Sequence, residues 1–392
     1  MGLDYSRQFG LAVSLAHHCL QSGEVQCEPE SESSPGQDFS ILDSGTIRAH
    51  RLSRLVLEHL ENLGFDPVDI EDVRSDALAH TQAALELVTA TTLVSRALTD
   101  AGVAHLILKG VVLGSLVSSV GARGAGDVDV LVSQKNLGVV AGVLEGLGFR
   151  PMRALPSLSF KRSWSLWAFF DRECTYVGPP GQVDLHWRIA PQRQLMPSFE
   201  DLYERRTHAV IGETSVPTLG LADSLAASCF HAYHDRFEPL RGLIDIVRIV
   251  EASEGVVLPR YSRALGRLIA GVLQLLTAEF PGVIDKPTAA LLQQLPEPNR
   301  AALSRWRVAT VSPRVPWAEK ADVGAQIEWG IAEARCDVWW EFLPRFVGKR
   351  LFLFPDATPA RQTTGFSQAF LGRLVFESRR ILQRFRRGVV QR

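Results

Sequence analysis

The chain has 392 residues, 46% of them hydrophobic and 22% charged, and a formal net charge of -1. That balance suits a soluble globular protein, and at ~100–200 residues per domain the length suits two or three domains. It excludes a global field favouring nucleic acid or a membrane surface, and no apolar run approaches the ~20 residues of a membrane-spanning helix.

In chain order, residues 1–20 form a short amphipathic stretch, and Asp4 with a lone Arg7 gives none of the basic start of a secretory signal. The protein therefore reads as cytoplasmic. Residues 21–39 are rich in Ser, Glu, Gly and Pro and read as a linker. Residues 41–63 and 74–101 carry apolar residues at helical spacing, stopped by Gly64 and Gly102.

The periodicity then changes. Residues 103–108 read as a buried strand, 111–120 as a short helix, 121–126 as a small-residue loop and 127–132 as a second strand. A helix over 135–147 follows, then strands over 149–154, 158–164, 168–177 and 182–189, the last two joined by Pro179-Pro180-Gly181. After Gln194 the pattern is mostly helical, over 221–235, 239–251, 259–280 and on to 345. Residues 372–392 interleave seven arginines with Leu374, Ile381, Leu382 and Phe385, as a basic amphipathic helix would.

These elements predict an N-terminal segment and linker (1–40), N-terminal helices (41–102), an α/β core with a mixed sheet (103–195), a helical domain (196–345) and a basic C-terminal segment (346–392). The five cysteines, Cys19, Cys27, Cys174, Cys229 and Cys336, show no C-x-x-C spacing. Reduced, packed thiols are expected rather than a zinc site or a disulfide framework.

Asp127 and Asp129 are the sharpest chemical feature. Residues i and i+2 of a strand point to one face, so both carboxylates project together from a strand of Val and Leu. Such a pair is costly unless a cation joins it, and hard oxygen ligands suit Mg²⁺ or Mn²⁺ bridging to substrate phosphates. Asp184, in Val-Asp-Leu-His-Trp, repeats the theme on a strand of the same predicted sheet. Three such acids can hold two metals, with Asp184 on the side of the attacking group. A solvated strand end is the plainer reading of an isolated Asp-x-Asp; the order strand, turn, helix, small-residue loop, Asp-x-Asp strand and third Asp favours the metal site.

Two stretches sharpen this reading: Leu108-Lys109-Gly110, and Arg123-Gly124-Ala125-Gly126-Asp127-Val128-Asp129-Val130-Leu131-Val132. Over roughly residues 75–250 the chain resembles the nucleotidyltransferases of the DNA polymerase β superfamily. It is most similar to a bacterial group with Lys-Gly and Arg-x-x-x-Asp-x-Asp motifs that often accompanies natural-product or surface-polymer biosynthesis genes. The resemblance implies a polymerase β-like α/β core with an added α-helical C-terminal domain. It also implies transfer of a nucleoside monophosphate from an NTP such as ATP to a hydroxyl or phosphate of a small-molecule or peptide acceptor. Asp127, Asp129 and Asp184 would hold the metal. Lys109-Gly110 stands where most of the superfamily has Gly-Ser or Gly-Gly, and Lys109 would meet the phosphates as a point charge. Gly110 would let the backbone approach and open the next helix, and Arg123 would neutralise phosphate charge. A snorkelling Lys109 and a loop-ordering Arg123 are the alternatives.

His186 shares the face of Asp184 and reads either as a metal or substrate contact or as a hydrogen-bonded sheet histidine. His231 and His234, with Asp235 and Asp245 beyond them, read as a pocket wall or as helix packing. Trp164, Trp167 and Trp187 read as stacking partners or as core. A toxin-like or RNA-directed transferase is the rival function, hinted at only by the arginine-rich C-terminus, and a non-catalytic nucleotide-binding scaffold is the third. No Walker A motif or G-x-S-x-G elbow is present.

Overall fold

A computed structural model describes residues 2–22, 39–117, 126–152, 168, 171–179, 181–191, 195–298, 306–307 and 310. Arg123 and its loop, the strand expected over 158–164, Trp164, Trp167, most of the linker and everything after 310, including the basic segment, lie outside the described residues.

Helix α1 (Gly2–Ser22) opens the chain. The helix expected over 41–63 is instead broken into α2 (Ser44–Ala49) and α3 (Ser53–Val56), because Arg51 takes a φ of 56° between them. Leu52, Val56 and Leu60 still reach the core, which is why the spacing looked continuous. The long helix α4 (Pro67–Asp100) starts a full two turns earlier than its apolar pattern suggests. Asp66 caps it by accepting from the Val68 amide, and Pro67 suits the first turn, where no amide partner is needed.

The remaining elements are β1 (His105–Ile107), α5 (Gly110–Val117), β2 (Val128–Val132), α6 (Leu137–Gly146), β3 (Arg150–Pro151), β4 (Glu173–Gly178) and β5 (Gly181–His186). They continue through α7 (Phe199–Glu204), β6 (Thr207–Ile211), β7 (Thr214–Thr218), α8 (Leu221–His234), α9 (Arg241–Glu251), α10 (Arg263–Glu279) and α11 (Asp285–Leu292). The strands make one seven-stranded mixed sheet in the order β3-β4-β5-β2-β1-β7-β6. The fold is therefore mixed α/β. The β6–β7 hairpin departs from the helical pattern expected after Gln194. Its turn uses Gly212 at a φ of 59°, and β7 pairs in parallel with β1.

Alternation along the strands sorts the two faces. Val128, Val130 and Val132 of β2, with Val183 and Leu185 of β5, pack under Leu87, Val94 and Leu98 of α4 and Val140 and Leu144 of α6. Leu106 and Leu131 point the other way, into a core shared by α1 and by α8, α9 and α10. Residues in step with Leu131 on β2 therefore face the helical half of the molecule, and Asp129 is one of them. Cys19 and Cys229 are buried free thiols and Cys174 is half-buried. No helix among the described residues is long and apolar enough to cross a membrane.

Candidate active site

Strands β2 and β5 run parallel at the centre of the sheet, and their register sets Asp129 directly beside Asp184. Asp129 is only 5% exposed, while Asp127, just before β2, and Asp184 are half-buried. The sequence supplies this arrangement economically. Two short strands bury Val128, Val130, Val132, Val183 and Leu185 on one face and carry Asp129 and Asp184 on the other.

Cations and donors surround the acids. The Lys109 ammonium lies 3.7 Å from Asp129 Oδ1, and His186 Nε2 lies 2.8 Å from the same oxygen. The backbone brings Lys109 there: the Leu108 amide donates to the Asp129 carbonyl at 2.9 Å, and the chain then turns sharply. Lys109 and Gly110 take φ values of 34° and 49° at this turn, and α5 begins at Gly110. A non-glycine residue at positive φ is strained, so Lys109 is held in place by its surroundings. The positive end of the α5 dipole thus starts next to the carboxylates.

Neighbouring strands add to the site. Glu173 of β4 stands opposite His186 in the β4–β5 register, and its Oε2 is 3.2 Å from His186 Nδ1, an ion-pair contact angled away from full hydrogen-bond geometry. Thr175 stands opposite Asp184 and hydrogen-bonds it. The Gln182 amide donates to Asp184 Oδ1 at 3.2 Å. None of these three was singled out in the sequence. A signal was present, since Glu173 and Thr175 occupy alternate positions of one strand, but only cross-strand register says what they meet.

The electrostatics follow from the geometry. Burial opposes ionisation of Asp129, yet the Lys109 charge and the His186 hydrogen bond outweigh it and bring its pKa down to about 2. Burial also opposes a charge on His186, but its contacts with Asp129 and Glu173 lift its pKa to about 9. Asp127 is pushed up by burial and then by the charges of Asp129 and Asp184. Asp184 is also raised, by burial first, against the hydrogen bond from Thr175. Asp127 and Asp184 are therefore frustrated as charges, and a divalent cation would relieve them. Asp129, Asp184 and His186 each offer an atom within 4.8 Å of the others, a set able to hold a metal ion. Asp127 stands outside that trio, although it feels its charges.

The helical half closes in from α8. His231 lines a small, partly open cleft together with Lys109, Thr218 and Ser228. Burial, and then the charges of Lys109 and Arg172, hold its imidazole well below the ordinary range, so it is neutral. His234 instead stacks on Phe230 at 5.7 Å between ring centroids. Trp187 is core: it is 3% exposed and its indole N–H donates to the Ala168 carbonyl at 2.8 Å. Asp245 sits half-buried on α9.

A family described as an uncharacterised nucleotidyltransferase covers residues 45–267, more than half of the chain. The chain belongs to that family, and it is a nucleotidyltransferase. No curated relative matches it. Among solved structures, that of the antibiotic-resistance factor ANT(2'')-Ia in solution is similar at 16% identity and a TM-score of 0.32, over 53% of this chain and 95% of that one. The crystal structure of ANT(2'')-Ia with adenylyl-2''-tobramycin gives 16% and 0.32, over 48% of this chain and 98% of that one. An antigenic nucleotidyltransferase-like protein from Paracoccidioides brasiliensis gives 15% and 0.34, over 56% of this chain and 97% of that one.

Proposed function

We propose that the protein transfers a nucleoside monophosphate from an NTP to a hydroxyl or phosphate of a small-molecule or peptide acceptor, with Mg²⁺ or Mn²⁺ as cofactor. The observation that carries this reading is the parallel register that sets Asp129 beside Asp184, with Lys109 on the same carboxylate.

Asp127, Asp129 and Asp184 would hold the cation through hard oxygen donors, and their mutual repulsion supports that fit. When bound, a divalent ion there supplies Lewis-acid activation and charge neutralisation. The residues do the rest. The acceptor oxygen attacks the α-phosphorus, the bond from α-phosphorus to the bridging oxygen breaks, and pyrophosphate leaves with that oxygen. Asp184, on the side of the attacking group, would help to take the acceptor's proton. Lys109 and the amide end of α5 would offset charge on the phosphates, with Gly110 admitting close backbone approach and Arg123 adding a second cation. A place in natural-product biosynthesis belongs to the same proposal.

The test is calorimetric titration of each NTP, with and without Mg²⁺, into wild type and Asp127→Ala/Asp129→Ala. Mg²⁺-dependent binding of at least one NTP that disappears in the variant is the expected result. Equal binding by both proteins would overturn the assignment of the site.

A further inference from the structure

Both ring nitrogens of His186 face carboxylates. Nε2 is 2.8 Å from Asp129 Oδ1 and Nδ1 is 3.2 Å from Glu173 Oε2. The ring is 3% exposed, and its place is set by backbone, since Glu173 and His186 are register partners across β4 and β5. Glu173 is anchored in turn by the Arg172 guanidinium, whose Nε lies 3.1 Å from Glu173 Oε2. A continuous chain, Arg172–Glu173–His186–Asp129, thus runs from the edge of the site to its most buried acid.

The other half of the observation concerns Asp129 itself. Among the described residues, Lys109 and His186 both engage Oδ1. With Oδ1 engaged by a hydrogen bond from His186 and an ion pair with Lys109, Oδ2 is the oxygen assigned here to a cation. Mg²⁺ and Mn²⁺ favour oxygen over imidazole nitrogen, and groups that hold a ligand from behind tune affinity nearly as much as the ligand does.

We infer that Glu173 and His186 are positioning residues: Glu173 orients His186, and His186 fixes the carboxylate of Asp129 for the cation without ligating it. This rests on the reading of Asp127, Asp129 and Asp184 as the metal-holding acids, and it adds Glu173 as a determinant of metal affinity.

Replacing His186 risks the fold, because its ring is buried in the sheet. Glu173, with a side chain 37% exposed, is the safer place to cut the chain. Mn²⁺ binding to the full-length protein, followed by electron paramagnetic resonance, gives a readout independent of turnover. Glu173→Ala should raise the Mn²⁺ dissociation constant by about tenfold or more. Glu173→Gln, which keeps the size of the side chain and loses only its charge, should weaken binding less than Glu173→Ala. Pulsed measurements on the wild type should show no directly coordinated nitrogen. A directly bound ¹⁴N signal would overturn the inference by making His186 a ligand. An unchanged Mn²⁺ affinity in Glu173→Ala, with binding still abolished by Asp129→Asn, would overturn it while leaving the proposed metal site standing. Mn²⁺ binding that survives Asp129→Asn would overturn both.

Discussion

Asp127 and Asp129 are two residues apart, yet their surroundings push them in opposite directions. Asp129 has Lys109 at 3.7 Å and His186 at 2.8 Å, so its charge is stabilised. Asp127 is raised by burial and by the charges of its fellow acids. Neutralising each should therefore change stability with opposite sign. Asp127→Asn should raise the stability of the metal-free protein by about 1 kcal/mol, within the range seen when a functional site gives up a strained charge. Asp129→Asn should lower it by about 2 kcal/mol, the scale of a lost hydrogen bond to a charged group, because Lys109 and His186 lose their counter-charge. Both should reduce Mg²⁺-dependent NTP turnover by at least about 10²-fold, the loss expected when a group acting on transition-state charge is removed. Urea denaturation of the two variants without metal, beside a turnover assay, checks all three statements. Destabilisation by Asp127→Asn equal to that by Asp129→Asn would show that repulsion among the acids is not what raises Asp127.

Strand β4 carries Glu173 and Thr175 into the site, and its far end depends on a contact that leaves no room for a side chain. A Cβ on Gly178 would stand 2.9 Å from Phe149 Cδ1 and 3.1 Å from the Phe149 backbone Cα. Phe149 is fully buried, so it cannot swing aside. Gly178→Ala should cost about 1–3 kcal/mol, the range for overpacking, read as a lower urea midpoint at unchanged slope. A neutral result would mean that β3 and β4 separate freely. These elements also show what the sequence discloses. Helix α4 was legible from residue 74 onward, where its apolar spacing repeats, but not over its first two turns, and β2 and β5 were legible because Asp129 and Asp184 each stand between apolar neighbours. The β6–β7 hairpin was not: only Ala209 and Ile211 of one strand and Val216 and Thr218 of the other point inward, and Pro217 reads as a breaker. Among the candidate site residues, i, i+2 spacing drew attention to Asp127 and Asp129, and Asp184 stood out as an acid between apolar neighbours on another strand. Glu173, Thr175 and Gln182 act across strands or through side-chain reach, and neither is written in local pattern.

At the scale of the whole molecule, α1 joins residues far apart in the chain. Phe9, Leu15 and Leu20 enter the core built by α8, α9 and α10, His17 contacts the Pro281 carbonyl at 2.9 Å, and the Tyr5 hydroxyl donates to Glu238 at 2.7 Å. His50 closes this junction. Its ring meets Phe9 edge-on at 5.2 Å between centroids, and its carbonyl accepts from the Arg241 amide at 3.2 Å. The ring is 5% exposed, and Nδ1 is buried without a hydrogen-bond partner among the described residues. Burial accordingly lowers the His50 pKa from 6.5 to about 4. A histidine whose folded pKa lies below its unfolded value binds fewer protons when folded. Its full stability is present above pH 6.5 and is lost as the pH falls towards 4. At ~1.4 kcal/mol per unit, the penalty below pH 4 reaches about 3 kcal/mol. His105 and His231, also held low by burial, add to the same acid slope. His50→Phe keeps the edge-on packing and the backbone hydrogen bond while removing the titration. The difference in stability between this variant and wild type should therefore shift in the variant's favour as the pH drops from 6.5 to 4, even though the other histidines still titrate in both. A pH-independent difference in urea midpoints would show that His50 is hydrated in the folded protein, and that the junction of α1 with the helical core is looser than its contacts indicate.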